Sequence, residues 1–259
     1  MDLVVIGDRA VGKTSMVASL AHYSLDRDSK VKITTPDPKR LAEDLRPETG
    51  IGAGTADASP RELIMTVQRP TGAFKEINVV WIDLPGEIFQ ENSSRRQNGN
   101  EDWQVIKDTI QQSKYVILLL PPHRGMVKEE FIRNAPEELK PQRALPTEEQ
   151  WRTRLNWWFF DFLNQNCSRA RRILISIHKA DMFCDVDRAG VDWFYKPERI
   201  GTDFWRKYDD FAKSFLGGVR QDIRKYNNTD VGANTDFFIT STVSRDLLQL
   251  PWLYIGLYL

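Results

Sequence analysis

The 259-residue chain has no excess of charge of either sign, because Lys and Arg together number 36 and Asp and Glu also number 36. A protein that neutralises a long run of nucleic-acid phosphates needs a basic surplus, so general nucleic-acid binding is not expected. The cysteines are Cys167 and Cys184, too few for a disulfide framework and without the paired spacing of a zinc site. This composition fits a protein of the reducing cytoplasm.

Long hydrophobic runs and internal repeats are absent as well. The longest nearly uncharged stretch, residues 250–259, is about half the length that a membrane-spanning helix requires. The chain enters an apolar run at Leu3 without the charged region or cleavage site of a signal peptide. We therefore expect one domain over residues 1–259 and no membrane span, with insertions at about 26–60, 121–147 and 182–201.

Large apolar residues are plentiful, and short apolar strands alternate with helical patterns. The sequence predicts strands at residues 3–6, 62–68, 77–82, 115–120, 172–177 and 237–240. The second and third of these read as a hairpin, and residues 149–163 and 204–223 carry aromatic stripes at helical spacing. The pattern predicts an α/β fold: a mostly parallel six-stranded sheet with one antiparallel edge hairpin and helices on both faces. The segment 26–60 is predicted to be a long loop with a short helix at 39–44.

The first motif lies between the first strand and the first helical pattern, where residues 7–14 match G-x-x-x-x-G-K-[ST]. Glycines let the backbone wrap a phosphate chain, and successive N–H groups at a helix N-terminus supply positive potential. Lys13 is expected to neutralise β/γ-phosphate charge, and the Thr14 hydroxyl to ligate Mg²⁺. The predicted phosphate-binding residues are Gly7, Asp8, Arg9, Ala10, Val11, Gly12, Lys13, Thr14 and Ser15.

A second motif, D-x-x-G, follows the strand predicted at 77–82. Asp83, at the end of this strand, is expected to hold Mg²⁺ or a magnesium-bound water, and Gly86 lets a backbone N–H approach the γ-phosphate. Such an arrangement senses the state of a bound nucleotide.

The third motif is the sequence His178-Lys179-Ala180-Asp181, again at the end of an apolar strand. A carboxylate offers two acceptors that match the N1–H and N2–H₂ donors of guanine, whereas adenine has an acceptor at N1, so Asp181 is expected to select guanine. The alkyl stem of Lys179 is placed to lie across the base, and Ser241 and Thr242, after the last strand, to support the base from the other side.

The order of these three motifs resembles the P-loop GTPase domains of the translation-factor and small-GTPase (TRAFAC) class. The D-L-P-G-E variant with the long insertions is more similar to the bacterial double-GTPase proteins of conflict or defence systems. The resemblance implies bound GTP or GDP with Mg²⁺, slow hydrolysis and nucleotide-switched binding of a protein effector or a second GTPase domain. It implies phosphate and metal contacts from Lys13 and Thr14, a second switch at Asp83 and Gly86, and base reading by Lys179 and Asp181.

Three positions depart from that family's pattern or are not fixed by it. The asparagine of the base-reading motif is His178 here, which retains one hydrogen-bond donor but loses the paired donor and acceptor of the amide. The glutamine after the switch glycine is Glu87, whose carboxylate either slows hydrolysis or acts as a base through water. A solvated glutamate at a helix start, favoured by the helix dipole, is the equally weighted alternative. For the metal-binding threonine of the first switch we select Thr55, the nearest to the hairpin among Thr34, Thr35, Thr49 and Thr55.

Other readings stay open. Arg95 and Arg96 are candidates for arginine fingers but are more typical of a solvated helix face, and neither His22 nor His123 has a neighbouring set of metal ligands. The rival functions are a P-loop ATPase or nucleotide kinase, and a pseudo-GTPase scaffold without turnover. The apolar segment 243–259, interrupted by Pro251 and Gly256, is expected to pack against a partner chain, a second copy or further sequence.

Overall fold

A computed structural model describes residues 1–8, 11–45, 60–82, 101–133, 145–196 and 202–259. Its strands are β1 (Leu3–Gly7), β2 (Val31–Thr35), β3 (Pro60–Gln68), β4 (Phe74–Ile82), β5 (Tyr115–Leu120), β6 (Arg172–His178) and β7 (Thr235–Thr240). Its α-helices are α1 (Lys13–Tyr23), α2 (Pro38–Asp44), α3 (Glu101–Gln112), α4 (Glu129–Arg133), α5 (Glu148–Asn156), α6 (Asn164–Asn166), α7 (Val186–Asp192), α8 (Thr202–Ser214), α9 (Arg220–Asn227) and α10 (Arg245–Ile255).

These strands form one sheet in the order β2-β3-β4-β1-β5-β6-β7. The four pairings from β4 through β1, β5 and β6 to β7 are parallel, and the pairings β2–β3 and β3–β4 are antiparallel. The predicted α/β class, the mostly parallel sheet and the hairpin of β3 and β4 are confirmed.

The predicted number of strands is wrong. Residues 31–35, assigned to a long loop, form β2, so the sheet has seven strands and the hairpin is not at its edge. In β2 the side chains of Val31 and Ile33 are buried while those of Thr34 and Thr35 are exposed. So short an alternation, inside a segment rich in proline and glycine, is a weak strand signal.

Burial follows the parallel part of the sheet. Every residue of β1 and β5 is buried, and in β6 so is every residue after Arg172. A strand buried over consecutive residues has both of its sides covered, because successive side chains point to opposite faces. Both faces of the central sheet are therefore covered by other parts of the chain.

The helix predicted at 149–163 consists of an α-helical part and a π-helical part. α5 begins with a capping box in which Thr147 and Gln150 exchange side-chain and backbone hydrogen bonds. The helix then continues as a π-helix at Trp157–Leu163 and ends as α6. Its aromatic side chains Trp151, Trp158 and Phe159 are buried, so this stripe belongs to the core.

The C-terminal segment packs within the chain, so the expectation that it needs a partner is wrong. α10 packs against β7, α1 and α7, and every residue from Leu247 to Ile255 is buried. The indole of Trp252 stacks on that of Trp81 in β4, with 6.3 Å between ring centroids. Pro251, which looked like an interruption, lies inside the helix. Among the described residues, none of the helices combines the length and apolar character needed to cross a membrane.

Candidate functional site

The candidate site lies at the carboxyl end of β1, in the middle of the sheet. After β1 the chain forms β2, β3 and β4 on one side, and it then crosses to form β5, β6 and β7 on the other side. The strand order reverses at β1, and in open α/β sheets ligands bind outside the carboxyl ends of strands at such a point. The glycine-rich segment that follows β1 therefore occupies the expected position for a ligand-binding loop.

Two glycines fix the course of this segment. At Gly7 an added Cβ would lie 2.7 Å from the carbonyl oxygen of Leu119, so only glycine allows β1 to approach β5 this closely. Gly12 caps the N-terminus of α1 with φ 100° and ψ 29°, in the left-handed region that favours glycine. The first hydrogen bond of α1 runs from the amide of Met16 to the carbonyl of Gly12.

The side chain of Lys13 folds back over the end of β1. Its Nζ donates to the carbonyl oxygens of Gly7 at 3.2 Å and of Asp8 at 3.1 Å, and the residue is only 5% exposed. The cationic head is thus held over the start of the segment 7–14 at the N-terminus of α1. Thr14 and Ser15 follow in the first turn of α1; Thr14 is half-buried and Ser15 is exposed.

His178, at the end of β6, is a buried link between two loops. Its Nδ1 forms a 2.9 Å hydrogen bond with Oγ1 of Thr240, which is joined in turn to Oγ of Ser176 at 2.7 Å. The other edge of the imidazole faces Gly12, where an added Cβ would lie 3.2 Å from Cδ2 and 3.4 Å from Nε2. Burial, with a smaller contribution from Lys179, lowers the pKa of His178 to about 3, so the ring is neutral at physiological pH.

Lys179 has φ 63° and ψ 44°, a left-handed conformation that is uncommon for a residue with a side chain. This turn directs the chain into the 3₁₀ helix Ala180–Met182, which carries Asp181. The Cε atom of Lys179 lies 3.7 Å from the position of a Cβ on Gly12, so the lysine stem borders the segment 7–14.

The loop after β7 holds Asp181 from the other side. Oγ of Ser241 donates to Oδ1 of Asp181 and accepts from the amide of Val243 at 3.3 Å. The neighbouring Thr242 accepts a 2.9 Å hydrogen bond at its carbonyl from the hydroxyl of Tyr23, at the end of α1. The structure thus connects α1, the 178–181 segment and the 241–243 loop.

Several predicted site residues lie outside the described residues: Arg9, Ala10, Thr49, Thr55, Asp83, Gly86, Glu87, Arg95 and Arg96. The segments that carry Thr55 and Asp83 adjoin Pro60, the first residue of β3, and Ile82, the last residue of β4, which pair with each other. Because β4 runs parallel to β1, Ile82 and its partner Pro60 lie at the edge of the sheet at which β1 ends. Thr34 and Thr35 lie in β2, where Thr34 Oγ1 donates to the carbonyl of Ile64. Within the described ranges, no group of three or more His, Cys, Asp or Glu side chains is placed to hold a metal ion.

Three participants were not predicted from the sequence. Ser176 and Thr240 complete the hydrogen-bonded network of His178. Ser176 is an isolated serine two residues before a histidine in an apolar strand, so the two side chains lie on the same face. This spacing is a sequence signal that could have indicated the network. The third is Arg154 of α5, whose Nε donates to Oδ1 of Asp8 at 2.9 Å. No sequence pattern predicts a contact between residues so far apart in the chain.

Comparisons with known proteins do not assign this chain to a family. No protein-family model matches the chain, and no curated protein does. Among solved structures, the chain is similar to a crystal structure described as nucleolar GTP-binding protein 1 from Plasmodium falciparum. The alignment covers 98% of this chain and 85% of that one, at 11% sequence identity and a TM-score of 0.39.

Proposed function

We propose that this chain binds guanine nucleotides through a P-loop and hydrolyses GTP slowly with the help of Mg²⁺. The observation that carries the proposal is the meeting of two motifs from distant parts of the sequence. Gly12, left-handed at the start of α1, lies against His178 and Lys179 of the motif that precedes Asp181. A nucleotide needs a phosphate subsite and a base subsite that are close enough for one molecule to reach both. The two motifs meet this requirement because they lie together where β1 and β6 end.

The phosphate subsite is formed by the N-terminus of α1 together with Lys13. Backbone N–H groups in the first turn of a helix lack intrahelical acceptors and carry partial positive charge, which favours an anion. Lys13 adds a full positive charge over the same loop. Because the carbonyls of Gly7 and Asp8 already orient its ammonium group, little side-chain entropy is lost when a phosphate binds.

The base subsite is formed by Asp181 and its supports. Ser241 donates to Oδ1 of Asp181 and so restrains the carboxylate that would accept from N1–H and N2–H₂ of guanine. His178, neutral and engaged with Thr240, supports the junction of the two loops rather than presenting a charge to the ligand.

Mg²⁺ would be held by Thr14 together with Asp83 and Thr55. Hydroxyl and carboxylate oxygens are the ligands that this small, hard cation prefers, and it usually binds through one or two of them together with phosphate oxygens. The cation would neutralise charge that develops on the phosphates, and Glu87 would orient the attacking water or slow its attack. The segments that contain these acidic and threonine residues would then respond to the γ-phosphate and report it to a protein partner.

Competition among nucleotides tests the proposal directly. A labelled guanine nucleotide should be displaced by GTP at far lower concentration than by ATP, and Lys13→Ala should abolish binding. Lys32→Ala, which removes an exposed lysine-to-carbonyl hydrogen bond in β2, is the matched control and should bind normally. If ATP competes as well as GTP does, Asp181 does not read guanine and the ATPase alternative is favoured. The second measurement is phosphate release from GTP by the purified protein. If GTP binds but no phosphate is released, the protein is a nucleotide-binding scaffold and not a GTPase.

A further inference from the structure

Asp8, the first residue after β1, is held by contacts from several elements. Its amide donates to the carbonyl of Leu119 in β5 at 3.1 Å, and its carbonyl accepts from Nζ of Lys13 at 3.1 Å. Its carboxylate is held independently by Arg154 of α5. Three contacts, from three separate elements, therefore fix the first residue after β1.

The guanidinium of Arg154 is itself confined. Nε and Nη2 both donate to Oδ1 of Asp8, and the side chains of Arg154 and Asp8 are only 20% and 14% exposed. The guanidinium carbon also lies 4.4 Å from the ring centroid of Trp157 and 5.0 Å from that of Trp158, at the start of the π-helix. Cations over aromatic faces at this distance are attracted by the ring quadrupole, and Arg does this well because its planar group is weakly hydrated.

Charge gives this pair a role beyond packing. A half-buried carboxylate in a loop that binds phosphate repels the ligand unless a cation neutralises it, because solvent screens such a charge poorly. Lys13 contacts only the backbone carbonyl of Asp8 in the hydrogen bond described above, whereas Arg154 donates to its carboxylate. Arg154 comes from a helix outside the three nucleotide motifs.

Building on the proposed function, we propose that Arg154 is a positioning residue for phosphate binding. It neutralises the carboxylate of Asp8 and holds the start of the phosphate loop in place against β5. It acts through Asp8 and through the aromatic rings of Trp157 and Trp158, without contacting the nucleotide. The inference concerns the phosphate subsite alone, and it does not depend on which base the protein reads.

The same helix provides a control. Arg152, two residues earlier in α5, forms an ion pair of 2.7 Å with Asp222 of α9, whose side chain is 9% exposed. This pair resembles the first in residue type and burial of the carboxylate, but it is directed towards α9. Arg152→Met therefore removes an arginine–aspartate ion pair from the same helix without touching the loop, although Arg152 is more exposed than Arg154.

The experiment measures tripolyphosphate, GTP and ATP affinity by calorimetry, with the melting temperature of each variant recorded. Arg154→Met keeps the apolar stem on the tryptophans and should weaken tripolyphosphate binding by roughly tenfold, the scale of one charge-assisted hydrogen bond. Adding Asp8→Asn to this variant should recover much of the loss, because the unpaired carboxylate is then gone. Arg152→Met should stay within about twofold of the wild type, as independent sites do.

The outcomes separate the two proposals. Unchanged tripolyphosphate affinity in Arg154→Met, no recovery on adding Asp8→Asn, or an equal loss in Arg152→Met would overturn the positioning role. Wild-type protein that binds tripolyphosphate but does not prefer GTP to ATP would refute guanine recognition and leave the role of Arg154 intact. Wild-type protein that binds neither tripolyphosphate nor GTP would refute both.

Discussion

The imidazole of His178 lies directly against Gly12, so that a Cβ on the glycine would come within 3.2 Å of Cδ2 of the ring. The contact joins the start of α1 to the end of β6, two points that are far apart in the sequence. Because His178 is buried and bound to Thr240, it has little freedom to move away from a larger residue at position 12. Both the conformation of Gly12 and the space around it thus require glycine.

Gly12→Ala should therefore lower stability and nucleotide affinity together. A non-glycine residue in the left-handed region costs about 1 to 3 kcal/mol, and the contact with His178 adds to this cost. Gly72→Ala is a close control, because Gly72 also has a positive φ of 83° but no atom lies within 4 Å of its added Cβ. Urea unfolding should show the larger loss for Gly12→Ala, and a nucleotide titration should show a loss for that variant alone. Equal effects of the two substitutions would contradict the importance of the contact.

Asp181→Asn should reduce the preference for guanine. The substitution replaces one acceptor oxygen by an NH₂ donor, which opposes N1–H or N2–H₂ of the base. We expect GTP affinity to fall by about 1.5 to 3 kcal/mol, the range for a hydrogen bond to a charged group, with ATP affinity little changed. Asp187→Asn, at an exposed position of α7, is the control. A variant that keeps the full ratio of GTP to ATP affinity would show that the carboxylate does not read the base.

His178 should make the protein less stable in acid. Its pKa is lowered by burial from 6.5 to about 3, so between these values the unfolded chain binds a proton that the folded chain does not. Stability from this source is fully present above about pH 6.5, and it falls by about 1.4 kcal/mol for each pH unit below it.

The measurement is urea unfolding at pH 6.5 and pH 4.5. The loss of stability between these values should be smaller in His178→Asn than in the wild type by roughly 2 to 3 kcal/mol. His22→Asn, at an exposed position of α1, is the matched histidine control. Equal losses in His178→Asn and the wild type would mean that the ring is not buried as the structure describes.

Trp252→Ala tests whether α10 is an integral part of the core. Removing a fully buried indole that stacks on Trp81 leaves a cavity and should cost about 3 to 5 kcal/mol of unfolding free energy. Val243→Ala, at a position that is 65% exposed just before this helix, should stay within about 0.5 kcal/mol of the wild type. A small effect of Trp252→Ala on the urea midpoint would mean that the C-terminal segment does not contribute to the core as described.

The sequence predicted those parts of the fold that depend on local pattern. Tyr115–Leu120 is apolar over its whole length, β3 alternates from Leu63 to Val67, and the second half of β4 is apolar, so these strands were found with small boundary errors. β2 was missed because its pairing with β3 depends on a strand more than twenty residues away. α10 was misread because Pro251 and Gly256 suggest a broken segment, whereas the surrounding core stabilises the helix with proline in it.

The candidate site, like the fold, has residues that a local sequence pattern indicates and residues that it does not. The glycines, Lys13 and Asp181 belong to motifs of fixed spacing, so the sequence alone names them as candidate site residues. Ser176, Thr240 and Arg154 belong to no motif, because their roles come from contacts that only the folded chain creates. Such supporting residues are found by distance in space rather than by spacing along the chain.

The outermost strand on one side of the sheet, β2, has a consequence for how copies of this protein behave towards one another. A free strand edge presents unpaired amide and carbonyl groups to which another chain can add a strand. β2 is only five residues long, it carries exposed threonines at its end, and Pro36, which lacks an amide hydrogen, follows it directly. Without β2, the nine-residue β3 would be the outermost strand on this side. Within the described residues, the sheet therefore ends on this side in a short strand followed by proline, two features that oppose strand addition by another chain.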